Sequence, residues 1–557
     1  MRSILCSIFT LFLTCAVSLN AATRRSDTIS LRSPLDIPLM LSGNFGELRR
    51  NHFHSGIDFK TQGRTGFPVH AADYGYVSRA SVSPWGFGRA VYIIHPSTGL
   101  TTVYGHLEAF SPQIDRIVRG RQYEEETFTI DLTFEPGEIP VNRGDVIALS
   151  GNTGSSGGPH LHFDVRDTQT EDPLDPLEYF RKDIKDNVAP EVRQIALYPV
   201  NGGVVNDAES PVYRQPDASM TFTAWGDMVP GIKAYDRMSG TINIYGVKYL
   251  TLLMDGDTIY HKTVDRFSFD DTRAVHTVIN NADLIENGSW IMTTRVPQAN
   301  PLAYMIKAEN NGVVTINEER PYKFTWILRD EHGNTTRKNF TVNGKKKLIS
   351  AKQAEGQLLL WDADNVMEHE EVYVEIPAGT LYDNAFARIS RNASPGYCSA
   401  IYTIGEESIP TAGSIMISLP VENDTLENIR QYCLVKINGK KRVAQPSTYA
   451  DGYVNAKVRN FGNYAVTTDT EPPRIEPLNR DKWKSSGNVR FKITDNLSGV
   501  ESYRGEIDGR FALFELDGKT STLSFKIDKE RFPGNSHEVY LIVVDACGNS
   551  SEFRSKL

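Results

Sequence analysis

The sequence predicts a mainly β protein, with an N-terminal antiparallel β domain followed by several β-sandwich domains of immunoglobulin-like type. Three observations carry this prediction. At 557 residues the chain is longer than one hydrophobic core supports. Short alternating apolar runs at 77–82, 90–94 and 100–104, separated by tight glycine turns, read as strands. Beyond residue 186 amphipathic helical periodicity is almost absent, and turn signals recur roughly every dozen residues. Hydrophobic residues at 40% and charged residues at 23% fit folded soluble domains. The net charge of −9, without a basic tract, excludes a nucleic-acid partner and gives no general attraction to an anionic polymer.

Taken in order, residues 1–22 have the layout of a secretory signal peptide. Met1-Arg2-Ser3 is cationic, residues 4–19 are almost wholly apolar, and Ala21-Ala22 precede Arg24-Arg25. The apolar run is short for a membrane span of ~20 residues, so cleavage is expected over anchoring. Export places the mature chain in the periplasm or cell envelope, or secretes it. A lipoprotein at Cys15 is disfavoured, because Phe12-Leu13-Thr14 makes a poor lipidation site. Residues 28–182 form the first domain, with an insertion at 110–140 that reads as a β-hairpin. A charged linker leads to Ala189-Pro190 and a second domain at 187–345. A third β-rich block spans 346–468, and a fourth unit spans 470–557.

The second and fourth units share a weak internal repeat. Each opens on proline, at Ala189-Pro190 and at Pro472-Pro473, and passes an Asp-x-x-Ser-Gly turn at Asp236 and at Asp495. Each then ends near an Asp-x-x-Gly-Asn hairpin, at Asp330 and at Asp545. Turns that need φ > 0 or side-chain caps explain these positions, and that role is preferred over a calcium site. Of five cysteines, Cys6 and Cys15 leave with the signal. Cys398 and Cys433 could pair and leave Cys547 free, or all three could be buried thiols.

Three segments of the first domain concentrate His and Asp beside Gly: His54-Ser55-Gly56-Ile57-Asp58, Tyr104-Gly105-His106-Leu107, and 151–163 ending His160-Leu161-His162-Phe163. On a strand, His160 and His162 point to one face and Leu161 and Phe163 to the other. Two such histidines can share a metal, or one can bind it while the other acts on its water. Alone, a His-x-His pair is more often an ordinary polar strand face. Two imidazoles and one carboxylate suit zinc, and three protein ligands leave a fourth position for water. Such a water has its pKa lowered to ~7.

These segments resemble the signature of the lysostaphin/LytM-type zinc endopeptidases, a family of peptidoglycan hydrolases. The resemblance covers residues ~40–180 and rests on three ordered motifs. It implies one Zn²⁺ held by His54, Asp58 and His162, with His160 and His106 acting catalytically on water and the scissile carbonyl. It also implies a compact antiparallel β domain with the site in a groove. Asp164 stands where glutamate is common. His52 reads as outer-sphere or surface, His95 as a strand end shaping the groove, and His70 as packing. Asn44 is a weak candidate for a residue that blocks the metal. The 110–140 insertion reads as groove shaping.

The leading expectation is hydrolysis of peptide cross-links in peptidoglycan. The alternative is a non-catalytic or latent wall-binding regulator, against which the intact ligand set argues. The β-rich tail reads as a spacer or as a docking surface for an envelope protein, and the chain as a monomer.

Overall fold

The computed structural model describes residues 29–217, 219–348, 354–393, 395–422 and 426–557. The signal peptide and the Cys15 alternative lie outside the described residues. The protein is mainly β throughout, as the alternation and turn spacing require.

In the N-terminal part, β1 (Leu41–Gly43), β2 (Ile57–Lys60), β3 (Pro68–His70), β4 (Gly75–Val82), β5 (Arg89–His95), β6 (Leu100–Gly105) and β7 (Ala109–Phe110) lead into α1 (Pro112–Glu124). Then follow β8 (Ile130–Thr133), β9 (Pro140–Val141), β10 (Val146–Leu149), β11 (His160–Asp167) and β12 (Pro173–Leu174). The large sheet runs β1-β2-β11-β6-β5-β4-β8, and its ladders are antiparallel. A small sheet, β3-β10-β7, closes over one side. Between them lies an apolar core in which Phe59, Phe163 and Phe180 meet edge to face or tilted, at centroid distances of 5.6–6.0 Å.

The insertion differs from expectation: its first half is a helix, not a hairpin strand. Pro112 sits at the start of α1, where its missing N–H costs nothing, and Ile114, Val118 and Gln122 are buried at four-residue spacing. After α1, β8 and then β9, at the end of the insertion, extend the sheet by pairing with β4.

Beyond residue 186, a second unit is organised by one 15-residue strand, Thr221–Tyr235. It pairs antiparallel with Glu191–Pro199 at one end and parallel with Thr335–Gly344 at the other. A third unit stacks two five-stranded sheets around Tyr402, Tyr464 and Leu434. A fourth stacks two four-stranded sheets around Trp483, Phe491 and Phe514. Cys398, Cys433 and Cys547 are free thiols. Cys433 faces Cys547 of the fourth unit, and the hydrogen bond between them together with burial pushes its thiol up.

The second unit is not a detached spacer. Phe45 and Phe53 of the N-terminal part belong to its core, with ring centroids 5.0 and 5.4 Å from Phe267. Met238 and Tyr245 enter the N-terminal core in return. Lys248 joins the two parts through Asp175 (2.8 Å), Glu178 (2.9 Å) and Glu331.

Candidate metal centre

Pairing of β2 with β11 sets Asp58 opposite His162, and pairing of β11 with β6 sets His162 opposite Gly105. Alternation along β11 sends Leu161, Phe163 and Val165 into the core, each fully buried, and aims His160, His162 and Asp164 at the other face. His54 enters from the loop before β2. Gly56 makes that entry fit, since a Cβ there would lie 2.3 Å from the Phe163 carbonyl oxygen and 2.4 Å from Asp164 Oδ1.

Three donor atoms converge. His54 Nε2, Asp58 Oδ1 and His162 Nδ1 form a triangle with sides of 3.0, 3.1 and 3.2 Å. Ligands at 2.0–2.1 Å around a tetrahedral ion stand roughly 3.3 Å apart, so the triangle fits a cation of that size. His160 Nε2 is 3.4 Å from Asp58 Oδ1, and the His106 ring lies 4.7 Å from that of His160. The second Asp58 oxygen faces Arg49, at 3.6 Å.

Each imidazole is oriented through its other nitrogen by an oxygen that can only accept. His54 Nδ1 donates to the Asn44 carbonyl (2.7 Å), and His162 Nε2 to Asp164 Oδ1 (2.6 Å). His106 Nδ1 donates to the Thr153 carbonyl and His160 Nδ1 to that of Gly158, both at 2.8 Å. The nitrogens left over, in the neutral rings, carry the lone pairs that face the site. Asp164 is fully buried and is itself held by Ser55 Oγ (3.1 Å) and by both Nε and an Nη of Arg166.

The charges follow from this packing. Burial opposes ionisation of Asp58, but His54, His160 and His162 hold its carboxyl well below the usual carboxylate range. Burial likewise disfavours a charged His162, yet Asp164 and Asp58 outweigh it and push the imidazole up to about 9. For His106, burial and repulsion from His162 and His160 bring it down to about 3, so it is neutral at pH 7. His106 also sits at φ +59°, a left-handed conformation costly for a residue with a Cβ and often found at functional sites.

The structure thus brings together His54, Asp58, His162, His160 and His106. It leaves three other histidines out. His52 is exposed, while His95 is buried, with its two ring nitrogens on the Tyr74 carbonyl and the Thr102 hydroxyl. His70 packs on Gly144 with Asp36 at its outer nitrogen. Asn44 does not reach the donors, because its side chain pairs with both backbone groups of Gly246 in the second unit. Asp164, noted in the sequence only as standing where glutamate is common, is the residue that orients His162, and Arg166 is a supporting residue that motif reading passed over; their spacing of two and four residues from His162 on one strand was the available signal. Phe128 of the insertion lines a cavity with Asn152, Thr153 and Gly154, next to the carbonyl that orients His106. The insertion meets the fourth unit, with Arg504 on Glu126 (2.6 Å), Arg531 stacked 3.7 Å over Tyr123, and Phe511 edge-on to the same ring.

Comparison with known proteins gives a likeness to the DD-carboxypeptidase/endopeptidase Mpg of Neisseria meningitidis, 35% identical over 113 residues, which are 20% of each chain. An uncharacterised metalloprotease of Haemophilus influenzae is 30% identical over 139 residues, 24% of each chain. The chain therefore spans about a quarter or less of the length of these curated relatives. Among solved structures, the catalytic domain of lysostaphin from Staphylococcus simulans is 22% identical, covering 26% of this chain and 92% of that one, with a TM-score of 0.20. The N-terminal region resembles the lysostaphin/LytM-type peptidases. A family model for the Zu5-like domain matches residues 356–469, the third unit, about a fifth of the chain.

Proposed function

We propose that this protein is a zinc-dependent endopeptidase that hydrolyses peptide cross-links of bacterial peptidoglycan outside the cytoplasm. The observation that carries the reading is the triangle of His54 Nε2, Asp58 Oδ1 and His162 Nδ1 with two further imidazoles beside it. Two imidazoles and one carboxylate are a donor set suited to a single zinc ion with an open position. The similar Neisseria protein is named as a carboxypeptidase and endopeptidase of the DD type, which points to peptides containing D-amino acids.

Bound there, zinc would polarise the scissile carbonyl and acidify a water towards pKa ~7. The chain's own residues supply the proton handling. His160 and His106 each keep one N–H on a backbone carbonyl, which leaves both Nε2 lone pairs facing the site: His160 accepts the proton of the attacking water, and His106, held neutral, orients that water by accepting a hydrogen bond. The imidazolium so formed donates that proton to the leaving amine. Asp164 keeps His162 in register throughout, since its own carboxylate is clamped by Arg166.

Digestion of purified sacculi by the mature chain, with and without chelator and followed by mass analysis of the fragments, tests the reading. Cross-linked peptides should disappear only without chelator; their persistence in both arms sinks the proposal. His162→Ala should lose metal and turnover together. His160→Ala should keep most of the metal and lose turnover, and equal metal loss in both variants contradicts the division of roles.

A further inference from the structure

Two acidic clusters lie outside the histidine site, one in the second unit and one in the fourth. Asp186, Asp236 and Asp330 each place a carboxylate oxygen within 4.8 Å of those of the other two, and so do Asp469, Asp495 and Asp545. The clusters are copies of one arrangement. Asn334 Nδ2 donates to the Asp186 carbonyl (3.3 Å) and to Asp330 Oδ2 (2.7 Å); Asn549 Nδ2 donates to the Asp469 carbonyl and to Asp545 Oδ2, both at 2.9 Å. Ser239 N donates to Asp186 Oδ1, and Ser498 N to Asp469 Oδ2, both at 2.8 Å.

These bonds account for the turns at the repeated Asp, Ser, Gly and Asn positions. They do not account for Asp236, which is 6% exposed and whose Oδ1 meets neither a donor nor solvent. Asp495, its counterpart, is half-buried: its Oδ2 accepts from the backbone N–H of Leu497 (2.9 Å) and of Gly499 (2.8 Å), while its Oδ1 is buried without a partner as well. Among the described residues none of the six aspartates forms an ion pair. Asp175, Glu178 and Glu331 show the contrast: they crowd equally, but Lys248 sits among them. Burial, with repulsion from Asp330 and Asp186, pushes the Asp236 carboxyl up to about 8, so without a cation that cluster sheds charge by keeping a proton.

We propose that each cluster binds one divalent cation of the calcium class, one between Asp186, Asp236 and Asp330 and one between Asp469, Asp495 and Asp545. The donors are all oxygens, with no imidazole or thiolate, which selects a hard cation over zinc. Asp186 belongs to the linker before the second unit and Asp469 to the linker before the fourth. A bound ion would therefore tie each linker to two turns of the unit that follows, stiffening the junction.

The test uses the full mature chain, reloaded with one equivalent of Zn²⁺ after chelation and titrated calorimetrically with Ca²⁺ alone. Two Ca²⁺ per chain are expected, with Kd no weaker than about 10⁻³ M and a rise in Tm on the order of 5 °C at saturation. Asp236→Asn and Asp495→Asn should each abolish one site. Absence of both heat and Tm change up to about 10 mM Ca²⁺ overturns the proposal. So does a stoichiometry that neither variant alters, and an equal response to Mg²⁺ overturns the calcium class. If Asp236 is merely a buried acid, Asp236→Asn will be neutral or stabilising and Ca²⁺ will leave the wild-type Tm unmoved. Should a variant fail to fold, the wild-type stoichiometry and Tm response decide.

Discussion

His162 shows how much one side chain depends on its neighbours. Its Nδ1 completes the donor triangle only because Asp164 takes the proton on Nε2, and Asp164 can stay ionised in the core only because Arg166 and Ser55 hold its oxygens. Burial opposes the Asp164 charge, but His162 and Arg166 bring its carboxyl down to about 2. Asp164→Asn should therefore weaken metal binding by about 10–100-fold while the fold survives, measured by competition with a chromogenic chelator. The same pair sets a pH dependence. With His162 pushed up to about 9, a proton occupies Nδ1, the nitrogen that faces His54 and Asp58, below that pH. Apparent metal affinity should rise about tenfold per pH unit towards pH 9 and level off above it. A flat profile between pH 6 and 8 would contradict the assignment of that proton.

At the scale of elements, β11 is the strand on which the site is built, with β2 on one side and β6 on the other. Its alternation was readable, because residues two apart on a strand must share a face. The helical half of the insertion was not read, since three successive glutamates and nearby aromatics masked the four-residue spacing of Ile114, Val118 and Gln122. In the second unit, the strand Asp257–Thr263 buries Lys262, whose Nζ, among the described residues, finds only Met292 Sδ, at 3.4 Å. Burial brings this amine down to about 8. A cation with a depressed folded-state pKa destabilises the fold fully below that pKa, and the penalty fades as pH rises to the unfolded value near 10.5. Lys262→Met should thus stabilise by about 3 kcal/mol at pH 7, with the gain vanishing towards pH 10.5 in denaturant melts.

On the scale of the whole molecule, the segment that delivers His54 is anchored in the neighbouring unit. Phe45 and Phe53 flank that approach and pack on Phe267, and a Cβ at Gly46 would strike Val264. The second unit therefore supports the approach of His54 to Asp58 and His162, which is more than a spacer does. A chain ending at residue 186 should expose both phenylalanines, lose cooperative thermal unfolding and bind metal poorly. Phe53→Ala in the full chain should cost about 3–5 kcal/mol. If the isolated N-terminal part melts cooperatively and binds metal like the full chain, the shared core has no such role. The fourth unit reaches the same region from the other side. Arg89 pairs with Glu515 at 2.8 Å, and Lys519 donates to the carbonyl of Asn152, next to the Thr153 carbonyl that orients His106.

By itself, the sequence determined the β character, the three motif segments and the residue types able to hold a metal. All of these are local: alternation with period two, glycines where backbones must approach closely, and imidazoles beside carboxylates. The tertiary structure decided which nitrogen of His106 faces the site, because the orienting carbonyl of Thr153 lies 47 residues away, whereas Gly158 and Asp164 stand two residues from the histidines they orient and Asn44 ten from His54. It also decided that Asp186 and Asp469 join turns roughly fifty and twenty-five residues away, and that two phenylalanines of one unit fill the core of the next. Such contacts depend on how separate surfaces meet, and no spacing along one segment encodes that.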